Sequence, residues 1–242
     1  MTGSGRPQVA LLIFAKSPVA GTVKTRMQPD LSEADCLRLH KALVRLTLAK
    51  FRNLDSSRVD KTLLLTGPLD QAYRYAEEFG IVDEFFIEVQ FGKDLGERLI
   101  NALENKFNSG YLKVVIIGTD SPLLRIEQIE SSIDALSEHE VVIGPSADGG
   151  YYLIGFSANI PAVLRGISWG ESSVYEHTLK RIRLHGLKWK KLETGFDVDT
   201  MEDLRELYRR IQGNASQLTD DVTTQLYELV KSLVNRKQIS GY

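Results

Sequence analysis

Val114-Val-Ile-Ile117 is apolar at every position and runs straight into Gly118-Thr-Asp120, as a strand buried on both faces and ending in a polar loop would. Six further strand-like runs recur: Val9 to Ala15, Lys61 to Thr66, Glu84 to Val89, Val141 to Ile143, Tyr151 to Phe156 and Leu187 to Leu192. Between them, apolar residues fall at helical spacing over Ser32 to Phe51, Leu69 to Phe79, Leu95 to Phe107, Ile126 to Leu136, Ser173 to His185 and Met201 to Ile211. This alternation predicts an α/β chain: a three-layer α/β/α sandwich around a mostly parallel central sheet.

With 242 residues and 43% hydrophobic content, the chain can bury one large core. Residues 1–212 read as one domain and 213–242 as a helical extension, joined by a polar link after Gln212-Gly213. In the extension Asp220 or Asp221 is the expected cap, and Val222, Leu226, Leu229, Val230 and Leu233 form one apolar face. That face is expected to pack back on the domain, with a homodimer contact as the alternative. A net charge of -2 provides no footprint for nucleic acid or an anionic membrane. The run Val9 to Ala15 is too short to span a membrane and lacks a signal-peptide cleavage pattern. The lone Cys36 fits a reducing cytoplasm.

Three polar loops stand where strands end: Lys16 to Arg26, Gly118 to Pro122, and Phe196 to Thr200. In an open parallel sheet these positions face one crevice, so a cationic loop would meet two carboxylate loops there. Lys24 and Arg26 suit phosphate, Arg by bidentate contact and Lys as a point charge, while Gly21 permits a tight turn. Val23 precedes Lys24, so the loop is not a Walker A motif. Asp120, Asp197 and Asp199 are the candidate ligands for a hard Mg²⁺ or Mn²⁺. Asp120 could equally close an Asx turn, and Asp199 followed by Glu202 matches a capping box, which makes Asp197 the freer ligand. Asp94 followed by Glu97 matches another box.

Asp148-Gly149-Gly150-Tyr151 is a turn between two strands, with Asp148 a candidate base or substrate contact. Trp169 walls a pocket or fills core. His40, His139, His177 and His185 show no zinc spacing, and no G-x-S-x-G elbow is present.

The stretches Phe14 to Arg26, Lys93 to Arg98, Ile117 to Pro122, Gly144 to Gly155, Ser168-Trp169 and Asp197 to Thr200 resemble, in order, bacterial nucleotide-diphospho-sugar transferases of the GT-A type. Part of that family is of the arsenosugar-biosynthesis glycosyltransferase type, and its relatives are similar to phospholactate and molybdenum-cofactor guanylyltransferases. The resemblance covers about Val9 to Ile211. It departs at Asp120-Ser-Pro122, where GT-A glycosyltransferases often carry D-x-D.

The resemblance implies a Rossmann-like nucleotide-diphospho-sugar transferase fold, with the nucleotide at Ala15, Lys16, Gly21, Lys24, Arg26, Arg98 and Thr119. It places an acceptor at Gly149, Gly150, Tyr151 and Trp169. Lys24, Arg26 and Asp148 would serve the chemistry, and Asp120, Asp197 and Asp199 the Mg²⁺ or Mn²⁺. The expected reaction is sugar transfer from a nucleotide-sugar to a small-molecule acceptor. The alternative is nucleotidyl transfer from a nucleoside triphosphate to a phosphorylated small molecule, with loss of pyrophosphate.

Overall fold

The computed structural model describes residues 8–213 and 220–239. Seven strands form one sheet: β1 (Val9–Ala15), β2 (Val59–Leu65), β3 (Phe86–Val89), β4 (Lys113–Ile117), β5 (Val141–Pro145), β6 (Tyr151–Phe156) and β7 (Trp189–Lys191). The helices are α1 (Glu33–Phe51), α2 (Leu69–Phe79), α3 (Leu95–Asn108), α4 (Ile126–Ala135), α5 (Val174–Leu184), α6 (Met201–Gln212) and α7 (Asp221–Ile239). The strand order is β3-β2-β1-β4-β6-β5-β7, and β6 alone runs antiparallel to its neighbours.

All seven residues of β1 are buried, and its side chains divide between the two faces with the period of two that a strand imposes. Leu11 and Ile13 pack with Val44 and Leu48 of α1, Ala72 of α2 and Ile129 of α4. Leu12 and Phe14 pack on the other face with Leu99 and Leu103 of α3 and Ile182 of α5. Burying each such leucine contributes roughly 1.5–3 kcal/mol. Two helical layers therefore enclose the sheet, as expected.

A third apolar cluster joins Leu39, Leu43 and Leu46 of α1, Leu204 and Leu207 of α6, and Leu226, Val230 and Leu233 of α7. The apolar face of α7 is thus covered by its own chain. Asp220 caps that helix by accepting from the Thr223 N–H at 2.8 Å. Much of the preceding polar link, residues 214–219, lies outside the described residues.

Strand ends differ from expectation by a few residues. Glu84 and Phe85 belong to a turn, each amide donating to the Ile81 carbonyl at 3.0 Å, so β3 begins at Phe86. β7 is limited to Trp189–Lys191, which pair with Val141 to Ile143 of β5. No described helix is long and apolar enough to cross a membrane.

Candidate active site

β1 is flanked by β2 on one side and β4 on the other, both parallel to it. The chain leaves β1 toward β2 and returns to β4, so the β1/β4 junction is a topological switch point, where crevices form at strand carboxyl ends. A crevice of about 630 Å³ opens there. Of the residues singled out from the sequence, Ala15, Lys16, Lys24, Arg26, Arg98, Thr119, Asp120, Asp148, Gly150, Tyr151, Trp169 and Asp199 line it. Gly21, Gly149 and Asp197 are not among the residues that line it.

Lys24 ties the three loops together. Its Nζ lies 2.5 Å from Asp120 Oδ1, 2.7 Å from the Val198 carbonyl oxygen and 3.4 Å from Asp199 Oδ1, and its side chain is only 3% exposed. The Val198 amide donates to the Asp120 carbonyl at 2.9 Å, joining the two carboxylate loops through backbone as well. Lys24 is also the one non-glycine residue with positive φ among the described residues, at 49°. That left-handed conformation costs about 1 kcal/mol. Burial presses the ammonium pKa down, but Asp120 and Asp199 outweigh it and hold the pKa above the ordinary lysine value. Burial likewise works against the Asp120 carboxylate, and Lys24 overcomes it, leaving Asp120 below the usual range. Arg26 is more loosely held, 57% exposed with Nη1 at 3.6 Å from Asp199 Oδ2.

The helix cap is not Asp199. Thr200 caps α6, its hydroxyl accepting from the Asp203 N–H at 3.3 Å while Asp203 Oδ2 accepts from the Thr200 N–H at 2.7 Å. A threonine with an acid three residues on satisfies the same pattern one position later. Asp199 is thereby released toward Lys24 and Arg26, and the ground for preferring Asp197 as the freer carboxylate disappears. Asp94 does cap α3, accepting from the Glu97 N–H at 2.9 Å.

Asp197 accepts a hydrogen bond from Ser121 Oγ. Burial, with added repulsion from Asp120 and Asp148, pushes its carboxyl up to about 6. The native state thus favours the protonated form. Its stabilising contribution is complete below about pH 4 and is lost as pH rises through about 6. Asp197→Asn is expected to melt above the wild type at pH 7.5, in metal-free buffer, and to match it near pH 4. Because Asp197 keeps some solvent contact, the gain is about 1–2 kcal/mol. Melting curves at the two pH values check this.

Oxygen donors of this kind suit a hard divalent cation, which proteins commonly hold with one or two carboxylates plus substrate phosphate. Two carboxylates and a carbonyl already converge on the Lys24 ammonium, a stand-in cation, so Asp120 and Asp199 fit that pattern. Among the described residues no group of three or more His, Cys, Asp or Glu side chains forms a self-sufficient cage.

On the other side of the crevice, Asp148 Oδ1 accepts from Ser146 Oγ at 2.8 Å and from the Gly150 N–H at 3.0 Å, closing the turn between β5 and β6. Gly149 has φ of 90°, and its carbonyl accepts from the Tyr175 N–H at 2.9 Å. A Cβ there would collide with the Ser172 carbonyl oxygen. Gly149→Ala is expected to lower unfolding stability by about 2 kcal/mol, measured by urea denaturation. Trp169 packs beside the core near α3, against Gly96, and meets Tyr151 edge-on at 6.1 Å along the crevice.

Sequence reasoning missed the supports behind the first loop. His40, noted in the sequence only for its lack of zinc spacing, lies buried on α1 beside Leu39 and Leu43. Its Nε2 donates to the Lys16 carbonyl at 2.9 Å, and burial holds its pKa below the ordinary value, so the neutral ring anchors the loop. The tautomer follows from the partner, because a carbonyl can only accept. Gln90 Nε2 donates to the carbonyls of Ala15 and Leu64 at 2.8 and 2.9 Å, pinning the ends of β1 and β2.

Sheet order, switch point and carboxylate loops together define the nucleotide-diphospho-sugar transferase fold. Within it, the chain belongs to the DUF2064 family, described as an uncharacterized protein conserved in bacteria, whose model matches residues 34–171. It is similar to the solved "putative nucleotide-diphospho-sugar transferase" of Desulfovibrio desulfuricans G20, at 31% identity and TM-score 0.84 over 95% of this chain and 98% of that one. It is also 26% identical over 196 residues to the 2-phospho-L-lactate guanylyltransferase of Methanothermobacter thermautotrophicus, covering 78% of this chain and 80% of that protein. The manganese complex of Rv0371C from Mycobacterium tuberculosis H37Rv shares the fold at 20% identity and TM-score 0.50, over 83% of this chain and 97% of that one.

Proposed function

We propose that the protein is a metal-dependent transferase that binds a nucleotide-diphospho-sugar in the β1/β4 crevice and passes the sugar to a small-molecule hydroxyl acceptor. The observation that carries this reading is the meeting of Lys24 and Arg26 with Asp120 and Asp199 at the switch point. Likeness to the Desulfovibrio protein supports sugar transfer, and the aromatic pair Tyr151–Trp169 offers faces against which a sugar ring packs. The one described cysteine, Cys36, is free and buried, in keeping with a cytoplasmic setting.

In this reading Lys16, Arg26 and Arg98 receive the nucleotide phosphates, with the backbone of Ala15 and Thr119 beside them and Gly21 turning the loop. Asp120 and Asp199 would hold Mg²⁺ or Mn²⁺. When bound, the ion supplies Lewis-acid stabilisation of the negative charge on the leaving nucleoside diphosphate. Asp197 backs this pair from behind, through Ser121. Asp148 is oriented by Ser146 and Gly150 through Oδ1, so Oδ2 is the oxygen available to take the acceptor hydroxyl proton in an inverting transfer. The acceptor oxygen bonds to the anomeric carbon as the carbon–oxygen bond to the diphosphate breaks, and the electron pair leaves with the diphosphate.

A second reading is favoured by the guanylyltransferase similarity: a phosphorylated acceptor attacks the α-phosphate of a nucleoside triphosphate and pyrophosphate leaves. The two are separated by product. Purified protein is screened by thermal shift against nucleotide-sugars and triphosphates with and without Mn²⁺, and stabilising ligands are then assayed for release of nucleoside diphosphate or of pyrophosphate. Release of nucleoside diphosphate from a nucleotide-sugar supports sugar transfer. Pyrophosphate from a triphosphate replaces it with the second reading, and no stabilisation by any nucleotide removes both.

A further inference from the structure

We infer that Lys24 is a displaceable counter-ion, whose ammonium group keeps divalent cations out of the Asp120/Asp199 pair until nucleotide phosphates draw it away. This rests on the reading above, that these carboxylates are where a metal ion is held. The Asp120 Oδ1 and Asp199 Oδ1 atoms that would turn toward a metal are the ones facing Lys24 Nζ, at 2.5 and 3.4 Å, and the Val198 carbonyl adds a third contact at 2.7 Å. Two cations cannot share that space, since at such separations their repulsion is large in a partly dehydrated site.

The arrangement is built rather than incidental. The side chain is 3% exposed, and Lys24 alone among the described non-glycine residues takes a left-handed backbone to place its ammonium there. Arg26, two residues on, is exposed and sits 3.6 Å from Asp199 Oδ2, so it remains oriented toward incoming anions while Lys24 is engaged. Lys24 can leave the carboxylates only for another anion, which a nucleotide diphosphate supplies. Metal and nucleotide would then bind with positive, reciprocal coupling.

The test uses Mn²⁺ alone, followed by the loss of the free-ion electron paramagnetic resonance signal near neutral pH. Wild type, Lys24→Met, Lys24→Gln and Lys24→Met/Asp120→Asn are compared, with a melting curve for each to verify folding. The expected result is Mn²⁺ binding at least 10-fold tighter in Lys24→Met or Lys24→Gln than in wild type, and lost again in the double variant. Wild type binding Mn²⁺ as tightly as the folded single variants, with the double variant losing it, would overturn the counter-ion role while leaving the metal site standing. Mn²⁺ binding that survives in the double variant, or is absent from every folded protein, would overturn the metal site itself and the inference with it.

Discussion

Lys24→Met is expected to lower the transferase rate by about 10²- to 10³-fold and to destabilise the fold by about 2–3 kcal/mol. The rate loss is that of a positive group, once drawn onto the phosphates, missing from beside developing negative charge. The stability loss follows from leaving Asp120 and Asp199 facing each other without their shared cation. Breaking a fully buried ion pair costs about 3–5 kcal/mol. Here the Asp120 and Asp199 side chains are 43% and 33% exposed, so solvent takes over part of the role and the smaller figure applies. A domain with a typical stability of about 5–15 kcal/mol remains folded after that loss. Adding Asp120→Asn removes one of the two unpaired charges, so the double variant should regain stability but not turnover. Urea denaturation and initial rates measured on the same preparations check both halves. Unchanged stability in Lys24→Met would mean that the ammonium contributes nothing net to holding the loops.

Arg26→Ala separates binding chemistry from architecture. The guanidinium is 57% exposed and the Asp199 carboxylate lies 3.6 Å from it, so its removal should leave the melting temperature nearly unchanged. The rate should nevertheless fall by about 30- to 1000-fold, the 2–4 kcal/mol associated with a lost electrostatic donor at a transition state. Steady-state rates at saturating donor, read beside a thermal melt, make the comparison. A fall in rate of less than threefold would remove Arg26 from the reacting groups.

Much of this architecture is legible from residue order alone. The apolar runs Val9 to Ala15 and Val114 to Ile117 announce a buried parallel pair, and the polar loops that follow them must then open on one side of the sheet. What could not be read are choices between equally good local patterns and contacts made over long chain separations. Asp199 with Glu202 and Thr200 with Asp203 both satisfy a capping pattern, and only tertiary geometry selects the second. Lys24 looks like an ordinary loop lysine, because its partners Asp120 and Asp199 lie 96 and 175 residues away. His40 was hidden for the opposite reason: a helix-periodic neighbourhood of leucines makes a buried histidine look like filling. The reversed direction of β6 follows from the tight turn at Asp148-Gly149, a local signal with a sheet-wide result.

The cluster shared by α1, α6 and α7 takes in Met27 beside Arg26 and Val198 beside Asp199, and so sets the spacing between the cationic and acidic loops. α1 carries His40, which anchors Lys16, and Lys50, whose ammonium donates to the carbonyls of Pro122 and Leu124 just after Asp120. α6 begins immediately after Asp199, and α7 packs across both helices. The three helices therefore act as a chassis on which opposite sides of the crevice are bolted. Sequence drift at Leu226, Val230 or Leu233 would retune the gap between loops without altering one residue that meets a ligand, so rate and affinity can evolve from the back of the molecule.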